Sequence, residues 1–234
     1  MPARLVITAT ASELADLFGL SAVGPLKPRY NVAPSQDVPV VRVSNGTREL
    51  VNMRWGLIPH WNSDPAHEGF VNARSETVAE KPSFRDAFRS RRCLVPANGF
   101  YGWMPGKPRK QPYLFRPAGG GVFACAAIWD SWHGPAGPVE TVSVLTMPSN
   151  ELVMPMDPRM PVVVGAEHFA AWLDPTDKQP AKLLPLLEPY PAARMACWPV
   201  STRVNAVAND GPDLIVPIAD PTLPARTPTL FDEE

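Results

Sequence analysis

Thirty prolines are spread along this 234-residue chain rather than gathered in one tract, and that spacing limits what it can build. Each proline fixes φ and removes a backbone donor, so short strands and loops are favoured over long helices and uninterrupted central strands. Hydrophobic residues at 45% against 19% charged suit a globular protein with a real core. No composition break marks a linker. From Pro217 onward the sequence turns proline- and acid-rich, so the expected organisation is one domain over residues 1–217 and a flexible acidic tail over 218–234.

Local signals place the elements. Residues 3–8 read as a first strand. Thr10-Ala-Ser-Glu13 has capping-box spacing, with Leu14, Leu17 and Phe18 at helical intervals and Gly19 as a stop. Strands at 38–43 and 50–55 flank Asn45-Gly46, a hairpin signal. Pro82 opens a short helix with Phe84, Ala87 and Phe88 facing in and Arg85, Arg89 and Arg92 facing out. Further strands are expected at 93–95, 113–115, 121–128, 141–146, 161–164 and 195–200, and helical pieces at 166–173 and 182–187. Strands outnumber helices and do not alternate with them, which argues against a doubly wound sheet. The expected fold is α+β, a single domain around a bent, barrel-like mixed or antiparallel β-sheet with short peripheral helices.

A net charge of −1 hides an asymmetry. Residues 85–116 carry Arg85, Arg89, Arg91, Arg92, Lys107, Arg109, Lys110 and Arg116 against Asp86 alone. Such a stripe suits an anionic partner, although a solvated charged face has the same composition. Cys93, Cys125 and Cys197 lie far apart in apolar surroundings, as reduced thiols of a cytoplasmic protein would. No signal peptide or membrane-spanning run is visible. His60, His67, His133 and His168 lack metal-ligand spacing, so neither a metal nor another cofactor is expected.

The densest chemistry lies between Phe70 and Trp103. A polar Asn-Ala-Arg-Ser-Glu knot, a basic helix and a glycine turn ringed by aromatics follow one another, offering guanidinium and amide groups for phosphates and flat rings for bases. Motifs across the chain fit together. They are Arg4, Arg29-Tyr-Asn-Val-Ala-Pro34, Trp55-Gly-Leu-Ile-Pro-His-Trp61, Asn72-Ala-Arg-Ser-Glu-Thr77, Arg92-Cys-Leu-Val-Pro-Ala97, Gly99-Phe-Tyr101 with Trp103, Arg159-Met-Pro161 and Pro199-Val-Ser-Thr202 with Val204-Asn205. In this order they resemble the SOS response-associated peptidase (SRAP) family, the abasic-site-processing proteins.

The resemblance implies a particular reaction. In the family a cysteine follows the initiator methionine. Its amine condenses with the aldehyde of an abasic site in single-stranded DNA, and its thiol closes a thiazolidine beside an asparagine, a glutamate and a histidine. This sequence has Pro2, Gly102 and Asp157 where the family has the cysteine, glutamate and histidine, and keeps Asn72. The catalytic candidates are therefore Pro2, Asn72 and Asp157. By motif position the DNA-binding candidates are Arg4, Trp61, Asn72, Arg74, Thr146 and Arg159, the arginines for phosphates and the tryptophan for stacking. Glu76 is expected to pair with Arg74 and orient it.

Two readings of the centre follow. A pseudoenzyme would keep the DNA groove and lose the reactive trio. Alternatively, removal of Met1 would expose the secondary amine of Pro2, with an ordinary α-amino pKa of ~8, for reversible iminium formation with Asp157 as proton shuttle. A different class is a non-catalytic adaptor: Leu230 and Phe231 in the acidic tail resemble the Leu-Phe peptides that dock repair proteins on the DNA sliding clamp. The peptidase activity of the family name has no visible nucleophile–base pair.

Overall fold

The computed structural model describes residues 3–64, 66–106, 110–177 and 179–219. Pro2, Lys107, Arg109 and the tail residues Leu230 and Phe231 lie outside the described residues. Strand β1 (Leu5–Ile7) leads into helix α1 (Ala11–Phe18). The cap is the expected reciprocal one: the Glu13 amide donates to the Thr10 hydroxyl at 3.2 Å, and the Thr10 amide donates to the Glu13 carboxylate at 2.7 Å. Leu14 and Phe18 are buried beneath it. At eight residues α1 is the longest helix among the described residues, as the proline spacing demands.

Strand β2 (Arg29–Val32) returns beside β1, and β3 (Asp37–Ser44) and β4 (Thr47–Trp55) form a hairpin. Asn45 and Gly46 sit at φ 50° and 78°, the left-handed pair of a tight turn whose twist matches the strands. The remaining elements are β5 (Asn72–Arg74), α2 (Arg85–Ser90), β6 (Arg92–Ala97), β7 (Gly99–Met104), β8 (Gln111–Pro117), β9 (Phe123–Gly134), β10 (Gly137–Pro148), β11 (Arg159–Pro161), α3 (Phe169–Leu173) and β12 (Met195–Pro199).

Five strands close into a ring. β3 pairs with β4 and β6, β6 with β9, β9 with β10, and β10 returns to β4. Only the β4–β10 seam is parallel. The ring is a mixed closed barrel, and Val40, Val41, Met53, Leu94, Ala126 and Val142 are among its buried residues. The other sheet runs β12-β8-β7-β1-β2, antiparallel throughout. Asn98, between β6 and β7, ties the two together. Its side-chain oxygen accepts from the Thr8 and Ala9 amides at 2.7 and 2.8 Å, and its amide group donates to the Gly121 carbonyl at 3.0 Å. Together these make the single α+β domain that the strand pattern predicts.

Several expectations need correction. The 99–103 stretch is strand β7 rather than a turn, and Phe100 and Tyr101 are each 1% exposed; rings packed into the core cannot stack on bases. The helix after Pro82 starts only at Arg85. The 166–173 piece is helical as expected, a 3-10 turn at Ala166–His168 running into α3, whereas the 182–187 piece is the 3-10 turn Pro180–Leu186. The basic stripe does not form one face. Arg92 opens strand β6 and is 4% exposed, its guanidinium donating to the carbonyls of Trp172 (2.7 Å), Phe88 (2.9 Å), Arg89 (3.0 Å) and Asp174. Arg91 turns toward Asp130 at 3.2 Å.

Among the described residues no helix is long and apolar enough to cross a membrane. Arg92 acts as a buried cross-brace, and truncating it strands several carbonyls without donors. Arg92→Met is expected to destabilise the protein by about 3 kcal/mol, read as a lowered urea midpoint with an unchanged m-value.

Candidate functional site

Strand β10 organises the site. Its first two-thirds close the barrel, while its last residues run past both barrel partners and gain new ones. Val144, Leu145 and Thr146 pair in parallel with Asn72, Ala73 and Arg74 of β5. On the other edge Thr146, Met147 and Pro148 pair with Pro161, Met160 and Arg159 of β11. Asn72 and Arg74 therefore flank Thr146 on one side and Arg159 on the other.

Arg159 is the hub. Its guanidinium grips both Glu76 carboxylate oxygens at 2.8 Å, and also donates to the Thr146 hydroxyl at 3.1 Å and the Thr146 carbonyl at 2.6 Å. Thr146 is fully buried, its hydroxyl engaged by Arg159 and lying 3.4 Å from the Ala73 carbonyl, so it enters the site through Arg159. Glu76 thus pairs with Arg159 and not with Arg74. The turn after β5, held by Ser75 N–H on the Thr146 carbonyl and Thr77 N–H on the Arg74 carbonyl, carries the carboxylate over β10. Hydrogen bonding to Arg159 lowers the Glu76 pKa to about 2. Arg74 itself is exposed and has no ion pair among the described residues.

The Arg159 amide donates to the Asp157 carboxylate at 3.1 Å, which links this cluster to a cleft of about 730 Å³. Ala3, Arg4, Trp103, Lys110, Asp157 and Asn205 are among its walls. Arg4 lines it while donating to Asn31 Oδ1 (2.8 Å) and the Val204 (2.7 Å) and Asn205 (3.2 Å) carbonyls. It therefore clamps the 3-10 turn Thr202–Asn205 onto β1. Trp103 donates to Asn205 Oδ1 at 2.8 Å. Trp103, Asn205 and Lys110 received no role from the sequence, although the first two lie inside the quoted motifs.

Trp61 stands apart. It is 55% exposed at the tip of the excursion that separates β4 from β5. The neck is closed by Leu57 and Phe70, which exchange backbone hydrogen bonds at 3.0 and 2.8 Å. Gly69 has φ +90°, and an added Cβ would fall 2.2 Å from the Gly56 carbonyl oxygen, so only glycine fits. Near the tip, the His60 amide and Nδ1 each lie 3.0 Å from buried Asp130, and Trp132 donates to the Asn62 carbonyl at 2.7 Å. Asp130 pairs with Thr141, five positions before Thr146, or ~16 Å at the usual strand rise. The structure joins Arg4 and Asp157 in one cleft and Asn72, Arg74, Thr146 and Arg159 beside it, with Trp61 on a separate, braced loop.

The family model described as "SOS response associated peptidase (SRAP)" matches residues 1–207. The chain belongs to the SRAP family. Abasic site processing protein YoqW of Bacillus subtilis is 39% identical over 195 residues, 82% of this chain and 87% of the relative. YoaM of the same organism is 34% identical over 221 residues, 92% and 97% of the two chains. The chicken protein HMCES, also named an abasic site processing protein, is 33% identical over 83% of this chain and 68% of its own. A solved protein from Bacteroides thetaiotaomicron superposes with a TM-score of 0.80 at 25% identity, covering 92% and 99% of the chains.

Against the SRAP pattern Gly102 is informative. A Cβ there would meet the Phe115 ring at 2.9 Å and the Met156 Cβ at 3.2 Å. Phe115 is itself buried and stacked on Phe100. The position where the resemblance implies a glutamate is therefore filled by its neighbours. Gly102→Glu is expected to cost about 1–3 kcal/mol, seen as a lower thermal midpoint. Met156→Gly in the same chain, which removes that Cβ, is expected to recover part of it.

Glu76 gives a pH signature. Its folded pKa lies below its ordinary 4.5, so its contribution is complete above about pH 4.5 and is lost as pH falls toward 2. With its side chain 45% exposed, solvent screening holds that contribution to ~1 kcal/mol or less. Urea titrations of the wild type and Glu76→Gln should differ above pH 5 and converge near pH 2, with a smaller gap in high salt.

Proposed function

We propose that this protein binds single-stranded DNA at abasic sites in the response to DNA damage, without forming the thiazolidine cross-link that the family resemblance implies. The main support is the continuous path from the cleft at Ala3 through Asp157 and Arg159 to Arg74. It puts a pocket beside the start of the chain in register with an exposed guanidinium. Arg159 is neutralised by Glu76 and held rigidly, whereas Arg74 is exposed, with no ion pair among the described residues, and is free to grip a phosphate. Trp61, braced from both sides, offers a ring face worth ~1–3 kcal/mol to a stacked base.

The chemistry of the centre follows from what is missing. Thiazolidine closure needs an amine and a thiol on neighbouring carbons, and Pro2 supplies no sulfur. Gly102 has no carboxylate, and the packing of Phe115 and Met156 against it leaves no vacancy for one. Purified protein mixed with an abasic oligonucleotide should therefore bind it and yield no heat-stable adduct on a denaturing gel. A heat-stable adduct would refute the proposal. Arg74→Ala should weaken binding about tenfold and reduce the salt slope by about 0.7, measured by fluorescence anisotropy.

A second reading has one specific support: Ala3, which follows Pro2 in sequence, lines the same cleft as Asp157. The secondary amine of Pro2 would add to the aldehyde and lose water to give an iminium, with Asp157 donating the proton that departs with the hydroxyl. Borohydride trapping that disappears when the N-terminal amine is acetylated would favour this reading. Absence of trapping leaves the binding function alone.

A further inference from the structure

A second cleft, of about 580 Å³, lies between α2 and the 3-10 turn Pro180–Leu186. Arg85 and Arg89 line it from α2, with Gln179 and Lys182 from the opposite side and Ala79 at its edge. We infer that this cleft is a second phosphate-binding subsite, holding the backbone of the DNA strand where it continues beyond the lesion. The inference rests on the DNA-binding function proposed above and extends it to a surface that no family motif covers.

The charge balance points to an anion. Three cations face one carboxylate, Asp86, whose oxygen is 3.7 Å from Arg85 Nε. Arg89 and Lys182 are exposed and have no ion pair among the described residues. Positive groups set on opposing walls repel one another, and an anion between them relieves that repulsion. The shape points to a backbone and not a base. Phe88, the aromatic lining residue, is 1% exposed, so it presents no ring face for stacking.

Position supplies the third observation. The turn that starts at Arg74 and carries Glu76 onto Arg159 ends at this cleft. Thr77 N–H bonds the Arg74 carbonyl and Lys81 N–H bonds the Thr77 carbonyl, and Ala79 lies between them in sequence. Arg74 and Ala79 are five residues apart, at most ~18 Å even if fully extended. That lies within reach of one bound strand, since single-stranded grooves follow ~4–16 nucleotides. A strand leaving Arg74 over this turn meets Arg85, Arg89 and Lys182 next.

Anisotropy titrations with abasic oligonucleotides of about 4 and about 24 nucleotides, the lesion central in each, over a salt series, test this directly. Both charge reversals fall on exposed positions, so Arg89→Glu/Lys182→Glu should fold normally. The double variant is expected to bind the longer strand about tenfold more weakly, with a salt slope shallower by about 1.4, ~0.7 for each lost contact. The shorter strand should bind as to the wild type. Lys27→Glu, a charge reversal before β2, should leave both affinities in place. Unchanged affinity and slope for the longer strand would overturn the subsite, as would an equal loss on both lengths. Failure of the wild type to bind either strand would overturn the proposed function, and the subsite with it.

Discussion

The backbone of β10 is the constraint on which the rest depends. A buried strand must pair its N–H and C=O groups along both edges, and at twelve residues β10 outruns its barrel partners. β4 supports it at Thr141 and Val142, and β9 as far as Val144. Beyond that point β5 and β11 complete the ladder. The functional candidates are carried by these completing pieces. Asn72 and Arg74 arrive because β10 needs a neighbour on one edge, and Arg159 because it needs one on the other.

The same constraint explains the Trp61 loop. β4 and β5 occupy successive stretches of one edge, and the chain between them must leave and return at nearly the same place. The close approach of Gly56 and Gly69 permits that narrow neck, while Asp130 and Trp132 on β9 hold the tip. An exposed aromatic on an unbraced loop would lose conformational entropy on stacking. Here much of that ordering is already present in the fold.

Charge is handled differently in different parts of the molecule. Arg92 is consumed as a brace, Arg4 as a clamp on the C-terminal turn, and Arg159 is neutralised by Glu76. Arg74, Arg85, Arg89 and Lys182 stay exposed. A count of basic residues by sequence window mixes these groups, since neutralisation depends on partners far away in the chain. Glu76 illustrates the point: two residues from Arg74, it bonds a guanidinium eighty-three residues away.

Much of the fold was legible in the sequence because its signals are local. The Thr10 capping box, the Asn45-Gly46 hairpin and the apolar runs of β3, β4, β9 and β10 each depend on a few adjacent residues. β2, β5 and β7 were not legible as strands, because two are only three or four residues long and the third contains two glycines. The site divides in the same way. The motifs gave the candidates Arg4, Asn72, Arg74, Asp157 and Arg159, and residue identity alone fixes that Pro2 carries no thiol and Gly102 no carboxylate. Tertiary structure alone decided that Glu76 binds Arg159, that Phe100 and Tyr101 are core, and that a basic cleft opens at the end of the turn that follows β5. Those outcomes follow from which strand edges lacked partners, a long-range requirement that no short window of residues encodes.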